Sequence, residues 1–253
     1  MLNQIDIQDI VTIAKEAGNA IMQVYKQDFE VEYKQDSSPL TLADKKANNI
    51  IENNLNQLSV SLPILSEEGK EISYEERKHW EYLWLVDPLD GTKEFVKKNG
   101  EFTVNIALIH KDTPVLGVVY APALDICYWA KQGKGAFKDG QKLPLKTESQ
   151  RETYKIVTSR SHMSDETQAF IDNIDTDKEK ELVSIGSSLK ICLVAEGEAD
   201  IYPRLGSTME WDTGAAHAII NEINKRLETY KNNKITPHLY NKNDLLNQWF
   251  VVN

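Results

Sequence analysis

Residues 82–86 form an uninterrupted apolar run, Tyr82-Leu83-Trp84-Leu85-Val86, that stops at Asp87-Pro88-Leu89-Asp90-Gly91-Thr92. A strand that is apolar on both faces belongs at the centre of a sheet. When such a strand delivers two acids three residues apart and then turns, it builds a pocket for a hard cation. The Gly91-Thr92 pair can open a helix, whose first backbone N–H groups attract anions. An Asp before Pro or Gly is also ordinary turn chemistry. Here the whole block follows an apolar strand, which points to neighbouring cation and anion sites and so to metal-assisted chemistry on a phosphate.

The chain has 253 residues, 41% apolar and 27% charged, enough for a substantial core in one large domain or two packed halves. Its net charge of −10 argues against a nucleic-acid polymer as partner, because surfaces that bind one are basic. A small anionic substrate remains compatible, since metal ions and a few local cations reverse the field within one cleft. Cys127 and Cys192 are isolated, which suits core packing in a reducing compartment. No segment approaches the roughly 18 apolar residues of a membrane span. The expectation is a cytoplasmic protein, with or without peripheral association at the inner membrane.

Apolar residues at helical spacing predict helices over 6–27 and again after Pro39 and Thr41, where Asp44 falls in the first turn. Short strands are expected at 63–65 and 82–86. From 102 to 145 the pattern becomes an antiparallel meander, with strands at 103–109, 115–120, 126–130 and 135–137. Gly133-Lys134-Gly135 reads as a hairpin. Beyond it, strands at 156–159, 182–185 and 200–203 alternate with helices at 165–173, 187–197 and 212–224. The layout suggests an α+β half over 1–145 that carries the acidic motifs. An α/β half over 146–253 completes the site within one compact unit.

Glu67, Asp87, Asp90 and Asp212 each end or begin an element and are candidate metal ligands, with the Leu89 carbonyl as a candidate fifth. An all-oxygen set without histidine or thiolate suits Mg²⁺ or Mn²⁺ better than zinc. Four crowded carboxylates repel one another, and divalent ions would remove that cost. Counting from Asp87, Leu89 occupies the third position, where an EF-hand loop needs an acid. Leu89 also stands where phosphatases that form an aspartyl-phosphate carry a second Asp. Attack by water therefore fits better than a covalent intermediate. His79, His110, His217 and His238 lack metal-ligand spacing and read as structural.

Together, Pro63-Ile64-Leu65-Ser66-Glu67, Asp87–Thr92 and Glu210-Trp211-Asp212 resemble the lithium-sensitive, Mg²⁺-dependent inositol monophosphatase superfamily in motif and order. Four further stretches resemble its bacterial 3'(2'),5'-bisphosphate nucleotidase branch. They are residues 37–44, Gly91-Thr92-Lys93-Glu94-Phe95, residues 159–162, and Gly186-Ser187-Ser188-Leu189-Lys190 continuing to Arg204. The Lys93-Glu94-Phe95 version favours that branch over inositol-directed members.

The resemblance implies a layered αβαβα sandwich with the site between the halves. It implies one metal on Glu67, Asp87 and the Leu89 carbonyl, a second on Asp87, Asp90 and Asp212, and a weaker third near Glu67. Thr92 and Asp44 match positions that activate water, and backbone N–H groups of Gly91 and Thr92 match a phosphate cradle. Ser161, His162, Ser188, Lys190 and Arg204 are candidates for the nucleoside and its second phosphate. Glu67, Leu89, Asp90 and Asp212 also border the substrate.

The implied activity is Mg²⁺-dependent removal of the 3'-phosphate of adenosine 3',5'-bisphosphate, and of its sulfated form, by a monomer or homodimer. An inositol or sugar phosphatase of the same superfamily is the nearest alternative. A binding protein without turnover is a third. After the Trp211-Asp212 helix the chain departs from the pattern, with Asn221-Glu222-Ile223-Asn224-Lys225 where relatives usually carry a glycine pair.

Overall fold

Along each central strand, alternate side chains meet different helices, and this alternation builds the layers. The computed structural model describes residues 1–26, 31–33, 39–146, 152–159, 163–231 and 234–253. Helix α1 (Ile7–Tyr25) starts at Asp6, whose carboxylate accepts from Gln8 N–H at 3.0 Å. Strands β1 (Val31–Tyr33) and β2 (Pro39–Thr41) pair antiparallel, and β2 leads into α2 (Leu42–Gln57). Next come β3 (Ile64–Ser66), α3 (Tyr74–Arg77), β4 (Tyr82–Asp90) and α4 (Thr92–Val96). The meander follows as β5 (Thr103–His110), β6 (Thr113–Ala121), β7 (Ile126–Lys131), β8 (Gly135–Lys138) and β9 (Gln141–Lys142).

The first sheet runs β3 to β9 in chain order; β3 pairs parallel with β4 and every other pair is antiparallel. Trp84, Val86, Val104, Ile106 and Leu108 pack with α1 and α2. Leu83, Leu85, Ala107 and Ile109 face the other way, toward α6 (Leu189–Glu196) and α7 (Glu210–Asn221). At Gly117 a Cβ would lie 2.1 Å from the Ala215 carbonyl oxygen, so only glycine lets α7 lie this close to β6.

The remaining elements are β10 (Thr153–Ser159), α5 (Asp165–Asp172), β11 (Glu179–Ile185), β12 (Tyr202–Arg204), β13 (Leu227–Lys231), β14 (Lys234–Pro237) and β15 (Phe250–Val252). Strands β10 and β11 pair parallel, and an antiparallel sheet runs β12-β15-β13-β14. A parallel bridge between Ile156 and Ile201 joins the two. Val157, Tyr202, Phe250 and Val252 share a core with α6 and α7, whereas Ile156, Ile201 and Val251 pack on Ile171 of α5. The layers are therefore helices, sheet, helices, sheet, helix, the expected αβαβα sandwich. Cys127 and Cys192 are both buried in the cores. Among the described residues, no helix is long and apolar enough to cross a membrane.

Several boundaries differ from expectation. The strand expected to stop at Val86 continues through Pro88 to Asp90. Pairing persists because the ladder absorbs one extra residue: Asp87 opposes Asn105, and Asp90 opposes Thr103. The helix expected over 212–224 starts at Glu210, so Asp212 is its third residue rather than its first. Helix α6 starts at Leu189 rather than 187, and β12 at Tyr202 rather than 200. The expectation missed β13, β14 and β15. Leu227 and Thr229 do alternate inward, but polar neighbours dilute the pattern, and β15 spans three residues.

Candidate active site

In a regular strand, residues three apart point to opposite faces. The extra residue between Asp87 and Asp90 cancels that parity. Oxygens of Asp87 and Asp90, with one from Asp212, all lie within 4.8 Å of one another. Asp212 comes from the other half, at the third position of α7, where its Oδ2 accepts from Met209 N–H at 2.9 Å. Each acid has one oxygen tied down, since Asp87 Oδ1 takes Leu89 N–H at 3.0 Å. Asp90 Oδ2 takes Ser187 Oγ at 2.6 Å, Ser188 N–H at 2.8 Å and lies 3.0 Å from Ser188 Oγ.

Asp44 is buried in the first turn of α2, and Glu67 directly follows β3, its N–H donating to the Val86 carbonyl at 3.1 Å. Burial and then the charges of Glu67, Asp90, Asp212 and Asp44 push the Asp87 carboxyl well above its ordinary range. Asp212 is raised by burial and by Asp90 and Glu67, against the opposing pull of Met209 N–H and Arg204. This repulsion is what a divalent cation relieves. An all-carboxylate cluster with one oxygen of each acid already anchored fits a hard metal ion.

Gly91 caps α4 in the left-handed conformation (φ 92°), and a Cβ there would come within 3.1 Å of the Glu101 carbonyl oxygen. The Thr92 hydroxyl donates to the Leu89 carbonyl at 3.4 Å. Beside the cluster a cleft opens between Asp90–Glu94, α6, β12 and the start of α7, lined by Ser159, Lys190, Tyr202 and Arg204 among others. Lys190 Nζ donates to the Ser187 carbonyl at 2.5 Å and sits 5.9 Å over the Tyr202 ring. Burial lowers its pKa, the Asp90 charge opposes that, and Arg204 lowers it further. Arg204 donates from Nη2 to the Ser207 carbonyl at 2.8 Å. Ser161 and His162 lie outside the described residues.

Sequence reasoning overlooked the polar layer behind the acids. Thr103 and Asn105 are buried on β5; Thr103 Oγ1 donates to Asn105 Oδ1 at 2.9 Å, and Asn105 Nδ2 donates to Ser188 Oγ at 2.9 Å. Ser187 lies 2.5 Å from Thr103 Oγ1 and adopts φ 55°, a left-handed conformation that costs a β-carbon residue of order 1 kcal/mol. The signal was present: Thr103 and Asn105 are two polar residues on one face of an otherwise apolar strand. His217 and His238 are buried and hydrogen-bonded to Tyr240 and to Thr229 and Asn247, as the structural reading expects.

A sequence model described as the inositol monophosphatase family matches residues 3–249. The 3'(2'),5'-bisphosphate nucleotidase CysQ of Salmonella typhimurium is 50% identical over 217 residues, 84% of this chain and 86% of that protein. The CysQ of Buchnera aphidicola is 42% identical over 251 residues, covering 97% and 92% of the two chains. The crystal structure of CysQ from Bacteroides thetaiotaomicron superposes with a TM-score of 0.88 at 44% identity, covering 98% of this chain and 97% of that one. Sequence match, shared architecture and nearly complete mutual coverage agree, and the chain belongs to the inositol monophosphatase family.

Proposed function

We propose that this chain is a Mg²⁺-dependent 3'(2'),5'-bisphosphate nucleotidase that hydrolyses the 3'-phosphate of adenosine 3',5'-bisphosphate to AMP and phosphate, and acts also on the sulfated analogue. The observation that carries the reading is the convergence of Asp87, Asp90 and Asp212 beside a cleft that presents Lys190 and Arg204. Half-identical relatives named as such nucleotidases support the choice of substrate.

Asp87, Asp90 and Asp212, with Glu67 and the Leu89 carbonyl, would hold the metal ions. The chemistry Mg²⁺ supplies when bound, or Mn²⁺ in its place, is charge neutralisation and acidification of water. Thr92 orients the attacking water and Asp44 accepts its proton. Water oxygen bonds to phosphorus as the bond to the ribose 3'-oxygen breaks. That oxygen takes up a proton from solvent, and Asp44 returns the proton it accepted to solvent, so that one water is consumed. Backbone N–H groups of Gly91 and Thr92 hold the phosphoryl oxygens, where charge grows in the transition state. Lys190 and Arg204 grip the second phosphate at a distance from the reacting bond, which binds and orients the nucleotide.

The test is phosphate release by the purified chain with Mg²⁺ from adenosine 3',5'-bisphosphate, inositol 1-phosphate and fructose 1,6-bisphosphate. A kcat/KM for the nucleotide at least about a hundredfold above the others is expected. That margin is set by the missing second phosphate of inositol 1-phosphate and by the missing nucleoside and different phosphate spacing of the sugar bisphosphate. Release from inositol phosphate with none from the nucleotide would overturn the substrate. No release from any of the three would overturn catalysis itself.

A further inference from the structure

The segment that follows β14 folds back over the start of α7. Leu246 bridges to Met209, Glu210 N–H donates to the Leu245 carbonyl at 3.0 Å, and Asn247 N–H donates to the Thr208 carbonyl at 2.8 Å. The last of these reaches the site, because the Thr208 carbonyl and the Met209 N–H belong to one peptide group. That peptide accepts from Asn247 at one end and donates to Asp212 Oδ2 at the other. Hydrogen bonds in series through a peptide polarise one another, so the far bond strengthens the near one.

The Asn247 side chain, buried at 4% exposure, completes the grip. Its Nδ2 donates to the Met209 carbonyl at 2.7 Å and lies 3.2 Å from both Thr208 Oγ1 and Thr213 Oγ1. The carbonyl partner fixes the amide orientation, since only the NH₂ can face Met209 O. Oδ1 then accepts from His238 Nε2 at 3.2 Å, and His238 Nδ1 takes the Thr229 hydroxyl at 3.0 Å. The residues on either side of Asp212, and the peptide that orients its carboxylate, are thus held by one asparagine 35 positions away in sequence.

We propose that Asn247 is a positioning residue for the metal centre: its side chain fixes the Thr208 hydroxyl, the Met209 carbonyl and Thr213, and with them the first turn of α7, so that Asp212 presents its free edge to the cation. The inference rests on the metal-centre reading of the Asp87, Asp90 and Asp212 cluster. Groups that orient ligating side chains typically contribute about 10- to 100-fold in metal affinity.

The test uses the full chain without substrate, with Mn²⁺ affinity read from the electron paramagnetic resonance of the unbound ion and thermal midpoint followed in parallel. Asn247→Leu keeps the bulk and removes every side-chain bond; Asn247→Ser is the milder variant should the first not fold. Thr229→Val breaks the outer end of the same buried network and is the control for a purely structural role. Expected are a rise in Mn²⁺ Kd of about tenfold or more for the Asn247 variants and less than about twofold for Thr229→Val, whatever each does to the midpoint. Wild-type affinity in the Asn247 variants, or equal weakening in Thr229→Val, overturns the proposal. A wild-type chain that binds no Mn²⁺ overturns the metal centre instead.

Discussion

Two buried polar assemblies flank α7, and they are built on opposite principles. On one side Asp87, Asp90 and Asp212 crowd like charges together, so that burial and mutual repulsion push Asp87 and Asp212 upward. On the other, His217, His238, Tyr240, Thr213 and Asn247 join in neutral hydrogen bonds of 3.0–3.2 Å. Burial holds His217 down at about 3 and His238 at about 4, so both are uncharged at neutral pH. A satisfied network adds rigidity and asks for nothing more, whereas a frustrated one costs stability until a proton or a partner of opposite charge relieves it. The difference separates the scaffold from the proposed site.

The sharpest way to break this comparison is Asp90→Asn. The proposed ligand loses its charge while Ser187 and Ser188 keep a hydrogen-bonding side chain to hold. Turnover should fall by roughly 10³-fold with the circular dichroism unchanged; near-normal activity at saturating Mg²⁺ would remove Asp90 from the ligand set.

The second effect is thermal. With Mg²⁺ at about 100 times its Kd, stabilisation should reach about 2.7 kcal/mol, or about 5–10 °C for a chain of this size. Asp87→Asn should raise the metal-free midpoint and abolish most of that response. A metal-free variant less stable than metal-free wild type would show that repulsion at Asp87 is not a cost.

The two assemblies should also answer pH with opposite signs. A carboxyl raised in the folded state contributes stability at low pH that is lost as pH rises through its folded pKa. A histidine depressed in the folded state contributes stability above pH 6.5 that is lost as pH falls toward 4. With the metal bound, only the second trend should remain, at up to about 1.4 kcal/mol per pH unit for each histidine. Chemical denaturation between pH 6.5 and 4 measures it, and His238→Gln should flatten the slope; an unaltered slope would place the acid sensitivity elsewhere.

The smallest effect is expected at the cleft's cationic wall. Lys190→Ala should raise KM for the bisphosphate about tenfold, the worth of one charge-assisted hydrogen bond, and change a monophosphate substrate less. Equal losses for both would exclude Lys190 from the second phosphate.

Much of the acidic side was legible in sequence because its signal is local. An apolar strand that ends in Asp87-Pro88-Leu89-Asp90-Gly91-Thr92 departs from every background pattern for buried chain. The neutral network was not legible. Asn247, His238 and Thr213 are ordinary residues whose roles arise only when β13, β15 and the segment between β14 and β15 fold against α7. Thr103 and Asn105 fell between these cases: their alternation marks a polar face, but nothing local says that Ser187 and Ser188 will meet it.

By itself, the amino-acid order determined the acidic block, the helix-period stretches and the strands of the meander, because periodicity and motif spacing are written within single elements. The five layers followed from the family resemblance. Tertiary structure alone decided that acids three residues apart share a face, through one extra residue between Asp87 and Asp90. It also decided that a helix from the second half supplies the third carboxylate. Register and helix docking are set by contacts between segments far apart in the chain, and no window of sequence contains both partners.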